Sequence, residues 1–265
     1  RSGKDVLVLD ENRAPNNLLD RLGMFARHDL LDVAQGKCTP REAVLAAKGF
    51  SVLSTARAMG ALAQLKQAEQ KRLENALTEV SSGVDVMLVD AAMPVLSLSK
   101  RPVLSRVEGL IGQAAVSSSQ ASGAALLVVV DVTASGITES YALIKRLALE
   151  NARLHFEIVV NKAADEKAAM TVFDNMAKLA RRNLAARLEY LGFIPHDDRL
   201  KRATQLGRSV VEAFPAAAST KSYLELSQKL LRLPMQQDET EGGISHMMKS
   251  LILQLRSGEI AHVVN

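Results

Sequence analysis

The fold is decided by Val84-Asp-Val-Met-Leu-Val-Asp90, an apolar run that ends in an acid, and by the similar run Val6-Leu-Val-Leu-Asp10. Short continuous runs of Val and Leu indicate buried strands. Doubly wound α/β proteins place metal- and phosphate-handling groups at strand ends that deliver an Asp into a loop. Asp10 and Asp90 are therefore the first candidate site residues, although a single acid at a strand end often has no function.

Apolar runs of strand length alternate with helical patterns along the rest of the chain. Strands are predicted at residues 6–9, 50–53, 84–89, 124–131, 156–161 and 190–194, and helices at 61–80, 137–151, 168–188 and 219–233. Thr138 and Glu139, after Gly136, are expected to open the second of these helices. Continuous apolar strands separated by helices predict a mostly parallel sheet covered on both faces. The predicted class is therefore a doubly wound α/β fold.

Two segments interrupt this alternation. Residues 95–123 contain the triplet Val-Leu-Ser twice and then a Ser-rich stretch, which indicates an inserted low-complexity loop directly after Asp90. Residues 234–243 are polar and acidic, as expected of a linker that ends the folded domain of residues 1–233. Helical periodicity resumes in residues 244–260, and residues 244–265, a helix and a tail, form the third predicted part.

Composition excludes several classes of function. Only 3% of the residues are aromatic and Trp is absent, so base stacking on an aromatic platform is not expected. The net charge of +4 is spread along the chain, which favours a solvated surface over a nucleic-acid groove. Cys38 is the only cysteine, which fits a reducing cytosol, and the five histidines lack paired metal-ligand spacing.

Several short motifs occur in an order that carries a family resemblance. They are Asp10-Glu-Asn12, Tyr141-Ala-Leu-Ile-Lys145, Val159-Val-Asn161, Gly192-Phe-Ile-Pro-His-Asp197 and Val211-Glu-Ala-Phe-Pro215. With them the chain resembles the MinD/ParA group of deviant-Walker ATPases, and most closely the flagellar-number regulators of that group (FlhG/FleN-like proteins). The resemblance runs from about Gly3 to Pro234, and it implies a P-loop NTPase-like fold that binds ATP and Mg²⁺.

The resemblance implies roles for the strand-end acids. Asp10 falls on the switch I acid, which acts near Mg²⁺ and the attacking water, and Asp90 falls on the Walker B acid, which holds Mg²⁺. The second switch I acid of the family falls on Asn12, which cannot accept a proton from water, so fast hydrolysis is not expected. Ala91-Ala-Met-Pro94 replaces the usual Gly-containing switch II turn.

Two further residues match positions that border the adenine ring in the family. Asn161 would bind the base through its amide, and the loop at Pro195 through its backbone. The alternative for Asn161 is a turn residue that ends a strand.

The phosphate-binding loop is not found in these 265 residues. Such a loop needs Gly-x-x-x-x-Gly-Lys-Ser/Thr at a helix N-terminus, whereas Gly3-Lys4 precedes a strand and has no Gly set before it. The resemblance places this loop upstream of Arg1. These 265 residues are therefore expected to bind ATP weakly or not at all.

The last segment has the pattern of an amphipathic helix. Five apolar residues fall at helical spacing in it: Met247, Met248, Leu251, Ile252 and Leu255. Such a helix can lie in the interface of an anionic membrane, and the family has a membrane-targeting helix in this place. The alternative is a helix that docks on its own domain or on a partner.

The resemblance implies a cytoplasmic regulator of flagellar number or placement that acts at the inner face of the membrane. In such regulators ATP closes a homodimer, and the C-terminal helices of the two copies then bind the membrane together. The implied partners are a flagellar signal-recognition-type GTPase, flagellar switch or basal-body proteins and a flagellar transcription activator, with no specific nucleic acid. The first alternative is a non-hydrolysing interaction scaffold. A more distant one is a ParA-like partitioning protein, against which the mild charge argues.

Overall fold

The computed structural model describes residues 3–91, 125–151 and 154–233. The described residues divide into two compact units, with residues 3–91 in the first and residues 125–151 and 154–233 in the second. The predicted insert at 95–123, the linker at 234–243 and the helix at 244–265, with its five apolar residues, lie outside the described residues.

The first unit contains a four-stranded sheet with helices between its strands. Its elements are β1 (Val6–Asp10), α1 (Leu18–Arg21), α2 (Leu30–Ala34), α3 (Pro40–Ala43), β2 (Leu45–Ala47), β3 (Phe50–Ser54), α4 (Ala56–Ala61), a 3₁₀ turn (Leu62–Gln64), α5 (Gln67–Ser81) and β4 (Val86–Asp90). The strand order is β2-β3-β1-β4. β1 runs parallel to β3 and β4, whereas β2 pairs antiparallel with β3.

The second unit contains a three-stranded parallel sheet. Its elements are β5 (Leu127–Asp131), α6 (Ala134–Asn151), β6 (His155–Ala163), α7 (Glu166–Leu184), β7 (Arg187–Pro195), α8 (Asp198–Gln205), α9 (Val210–Ala213) and α10 (Ala218–Leu230). The strand order is β5-β6-β7, and both pairs are parallel. The α/β class is therefore confirmed, and each predicted strand is present with shifted ends.

Each sheet is held by apolar side chains that it buries against helices. In the first unit, Leu7 and Leu9 of β1 and Leu53 of β3 share a core with Leu73 and Leu77 of α5. In the second unit, Val159, Leu191 and Ile194 pack with Leu226 of α10. Full burial of one such side chain stabilises the fold by about 2 kcal/mol. Because β1, β3 and β4 are parallel to one another, as are β5, β6 and β7, their carboxyl ends lie at one edge of each sheet.

The helix predicted at residues 61–80 is not continuous. α4 ends at Ala61, Leu65 has an extended ψ of 136°, and α5 begins only at Gln67. The Glu69 carboxylate accepts a hydrogen bond of 2.8 Å from the backbone N–H of Lys66, which satisfies one backbone donor at the new start. This local capping interrupts an apolar pattern that runs on through the break.

The helix predicted at 168–188 is also wrong at its end. α7 begins at Glu166, where Asp165 caps it, and ends at Leu184. Ala185 then adopts a left-handed conformation with φ of 51°, which stops the helix and lets β7 begin at Arg187.

The start predicted at Ile137 and Thr138 lies too far along the chain, since α6 begins at Ala134. The hydroxyl of Thr133 accepts a hydrogen bond of 3.2 Å from the Gly136 N–H, so Thr133 has the capping position expected of Thr138. A Cβ at Gly136 would lie 2.7 Å from the Cβ of Asp131, which explains the glycine in this first turn.

Candidate functional site

Asp10 and Asp90 end neighbouring parallel strands of the first sheet. They are register partners at the carboxyl ends of β1 and β4. Neighbouring strands lie about 4.8 Å apart, so the two acids share one edge of the sheet. The structure thus brings together the two strand-end acids that the sequence marks as candidate site residues.

Asp10 is fully buried, and its carboxylate is held by hydrogen bonds. Oδ1 accepts from the backbone N–H and the side-chain Nδ2 of Asn12, at 3.0 and 3.2 Å, and Oδ2 accepts from the Leu18 N–H at 2.6 Å. A carboxylate offers about four acceptor positions, so roughly one remains. Asp10 therefore anchors the loop that follows β1, and it can add little more than one contact to a ligand.

Asn12 joins the ends of the two strands. Its Nδ2 donates to Asp10 and also lies 3.3 Å from the Asp90 carbonyl oxygen, which in addition accepts from the Glu11 N–H at 3.1 Å. A carboxylate at this position could donate to neither group. The residue that the family resemblance marks as a replaced switch acid is thus a hydrogen-bond donor in this chain.

Asp90 differs from Asp10 in being exposed. Partial loss of water around its carboxylate, and then the negative charge of Asp10, raise the pKa of Asp90, while the Asn12 amide and Arg21 oppose the shift. A cation at this edge would relieve the repulsion between the two acids. Mg²⁺ prefers oxygen ligands and keeps several waters, so one exposed and one nearly saturated carboxylate fit it.

Sequence reasoning missed Thr55, which supports this edge from β3. Thr55 is buried, and both its backbone N–H, at 2.8 Å, and its hydroxyl, at 3.1 Å, donate to the Asp10 carbonyl oxygen. The only sequence signal is its place two residues after the end of the strand predicted at 50–53. Thr55 fixes the backbone of Asp10, whereas Leu18 and Asn12 fix its side chain.

In the second unit, Asn161 and Pro195 lie on the same edge of the sheet. Asn161 is the register partner of Ile194, and Pro195 that of Ala163, at the carboxyl ends of β6 and β7. The side-chain amide of Asn161 has no hydrogen bond to the residues that the structure describes. The amide is therefore available to a ligand, as the predicted adenine contact requires.

Asp131 and Lys162 also lie at this edge, and sequence reasoning selected neither. Asp131 ends β5 as the register partner of Asn161. The Lys162 ammonium bonds to its carboxylate, and with the Thr133 N–H it lowers the pKa of Asp131. Lys162 has a φ of 62°, the left-handed region that non-glycine residues rarely adopt. The strand-end acid was a usable signal, whereas the backbone turn was not.

Asp197 ties the loop after Pro195 to α10. Its Oδ2 accepts from the N–H and the hydroxyl of Ser219, at 3.0 and 2.8 Å, and its Oδ1 accepts from the Arg199 N–H at 2.9 Å. The Ser219 N–H, opposed by partial burial and supported by the other two donors, holds the pKa of Asp197 below its ordinary value of 3.8. The carboxylate form therefore stabilises the fold.

We expect Asp197→Ala to lower the free energy of unfolding by about 2 kcal/mol at neutral pH, since hydrogen bonds to a charged acceptor are lost. Because the folded pKa is depressed, this contribution is present above the unfolded value of 3.8 and disappears as the pH falls through the folded one. Urea unfolding of wild type and variant at neutral and strongly acidic pH measures it. Asp198→Ala, at the exposed neighbouring residue, is the control and should change stability by less than about 0.5 kcal/mol.

Comparisons with known proteins find relatives of this chain by sequence and by fold. No family model matches the chain. The chain is 29% identical to the antiactivator FleN of Pseudomonas aeruginosa over 234 residues, which cover 88% of this chain and 78% of FleN. These relatives support the resemblance to the MinD/ParA family, with a likeness to FleN.

Solved structures of MinD proteins share the fold. MinD of Aquifex aeolicus matches with a TM-score of 0.56 and 20% identity, over 86% of this chain and 85% of its own. MinD of Pyrococcus horikoshii, solved with Mg-ADP, matches with a TM-score of 0.54 and 15% identity, over 87% and 85%. Among the residues that the structure describes, no helix has the length and apolar character needed to cross a bilayer.

Proposed function

We propose that this chain is a MinD/ParA-type regulator of flagellar number, as its likeness to FleN suggests, and that its first sheet supplies the Mg²⁺ side of an ATP site. The observation that carries the proposal is the register pair of Asp10 and Asp90, in which one carboxylate is nearly saturated with hydrogen bonds and the other is exposed. The related MinD that was solved with Mg-ADP supports the choice of ligand.

The residues divide the work of this site. Asp90 would bind Mg²⁺ directly or through a water molecule, while Asp10 holds the edge in shape and contributes charge. Taken by itself, the second sheet offers the side-chain amide of Asn161 and the backbone at Pro195 as contacts for an adenine base. Mg²⁺ supplies charge neutralisation for the nucleotide phosphates when it is bound.

The same proposal includes a switch at the membrane. ATP would close a homodimer, and residues 244–265 of the two copies would together bind an anionic bilayer that one copy holds weakly. The protein would then act in the cytoplasm at the inner membrane face, with the flagellar GTPase, the basal-body proteins or the transcription activator as partners. Co-sedimentation with anionic liposomes, with and without residues 244–265, tests this part.

A second candidate function is a scaffold that does not hydrolyse ATP. It is favoured by Asn12, whose amide donates to the ends of both strands and so acts as a structural clamp. Such a protein would keep the fold and its partners without turnover. The two candidates differ in their dependence on Asp90, because a scaffold has no need of a metal ligand there.

Deletion of the gene in its own organism tests the proposed function. We expect the number of flagella per cell, counted by electron microscopy, to change on deletion and to return when the gene is restored at its locus. An unchanged count in the deletion strain would overturn the assignment to flagellar number, whichever way the nucleotide acts.

We expect these 265 residues to show no saturable binding of ATP in the micromolar range, because they contain no glycine-rich loop with Lys to surround the phosphates. Titration with a fluorescent ATP analogue in excess Mg²⁺ measures this. A dissociation constant in the micromolar range would contradict the prediction and would show that other backbone amides cradle the phosphates.

A further inference from the structure

We propose that His155, Glu157 and Glu189 form a binding site for one divalent transition-metal ion such as Zn²⁺. The site lies where β6 and β7 begin, at the edge of the second sheet opposite Asn161 and Pro195. It is independent of the nucleotide function proposed above.

Strand pairing brings the three side chains together. His155 and Glu157 are two residues apart on β6, so their side chains lie on the same face, and Glu189 is the register partner of Glu157 on β7. One ligand atom from each lies within 4.8 Å of the others, and the His155 Nε2 is 3.1 Å from the Glu189 Oε1. Ligands of a tetrahedral Zn²⁺ lie about 3.4 Å apart, so side-chain rotations of about 1 Å complete the site.

The burial of Glu157 is the second observation that points to a cation. The residue is only 8% exposed, and its carboxylate has no hydrogen bond to any residue that the structure describes. Burial, and then the negative charge of Glu189, raise the pKa of Glu157, although His155 and Arg187 oppose the shift. A mostly buried carboxylate without a protein donor loses part of its hydration at a cost, and a bound metal ion would compensate it.

Arg187 supplies the competing explanation. Its Nη2 lies 2.6 Å from the Glu189 Oε1, and its side chain is 73% exposed, so the guanidinium can leave when a metal ion arrives. If the cluster is only a surface ion network, Arg187 is its main cation. If it is a metal site, Arg187 competes with the metal for the same oxygen, and its removal should strengthen metal binding.

Calorimetric titration of the full chain with Zn²⁺ tests the site, with wild type and the variants His155→Ala, Glu157→Gln and Arg187→Ala. We expect wild type to bind one ion that His155→Ala and Glu157→Gln weaken at least tenfold, whereas Arg187→Ala binds it as tightly or more tightly. His28→Ala, a histidine change in the other unit, is the matched control and should leave binding unchanged.

Circular dichroism spectra of each variant show whether it is folded, and the melting temperature gives a second reading. Zn²⁺ should raise the melting temperature of wild type and of Arg187→Ala but not that of Glu157→Gln. The proposal is overturned if wild type binds no Zn²⁺, or if folded His155→Ala and Glu157→Gln bind it as wild type does. It is also overturned if Arg187→Ala abolishes binding.

Discussion

Asp10→Ala should lower the free energy of unfolding by about 3–4 kcal/mol, one of the largest effects expected from a single substitution in this chain. The carboxylate of this fully buried residue accepts hydrogen bonds from Leu18 and twice from Asn12. Truncation leaves these donors without an acceptor and frees the loop after β1. Urea unfolding followed by circular dichroism measures the loss.

Two further variants define the cause. Asp5→Ala changes an exposed acid just before the same strand and should cost less than about 0.5 kcal/mol. Asp10→Asn keeps the size of the side chain but turns an amide towards existing donors, so it should also destabilise, by about 2–3 kcal/mol. If Asp10→Ala lowers the free energy of unfolding no more than Asp5→Ala does, Asp10 does not anchor the loop. The assignment of a structural role to Asp10 and a cation-binding role to Asp90 is then wrong.

Unlike Asp10→Ala, Asp90→Asn should abolish function without lowering the free energy of unfolding. The exposed carboxylate is disfavoured by desolvation and by Asp10, as its raised pKa shows, so neutralising it removes a repulsion. Because the folded pKa is raised, the carboxylate of Asp90 weakens the fold above its unfolded pKa, and the wild type gains stability relative to the variant as the pH falls. The strain carrying Asp90→Asn should have the flagellar count of a deletion strain.

Asp174→Asn is the matched control for this prediction. Asp174 is an exposed acid on α7 in the other unit, and it has no hydrogen bond or ion pair with the described residues. Its variant should keep both wild-type stability and the wild-type flagellar count. A wild-type count in a strain that makes normal amounts of the Asp90→Asn protein would favour the scaffold over the nucleotide switch.

The strands and their acids could be predicted because their signal is local. The continuous apolar runs at β1 and β4 mark buried parallel strands, and each carries its acid at its carboxyl end. β2 was missed because Leu45–Ala47 is short and alanine-rich, and it exists only through its pairing with β3. The break before α5 was missed because the hydrophobic pattern continues through it, and the hydrogen bond from the Lys66 N–H to the Glu69 carboxylate that marks the new start has no clear sequence signal.

The chemistry of the sites was harder to predict because it depends on tertiary contacts. Nothing in the sequence indicates that Leu18 and Asn12 would donate three hydrogen bonds to the Asp10 carboxylate, which leave it about one acceptor position for a ligand. The spacing of the histidines likewise gave no sign of a metal site, because the proposed ligands come from two different strands. The third candidate ligand, Glu189, joins His155 and Glu157 only when β7 pairs with β6.

Paramagnetic broadening by Mn²⁺, which substitutes for Mg²⁺ at oxygen sites, tests the cation site at Asp10 and Asp90 most directly. In NMR spectra of the isotope-labelled chain, Mn²⁺ should broaden the backbone amide signals of Glu11 and Ala91, which flank the two acids. The broadening should vanish in Asp90→Asn and persist in Asp174→Asn. Equal broadening at Glu11 and Ala91 in wild type and in Asp90→Asn, or none in wild type, would contradict a Mg²⁺ site at this edge.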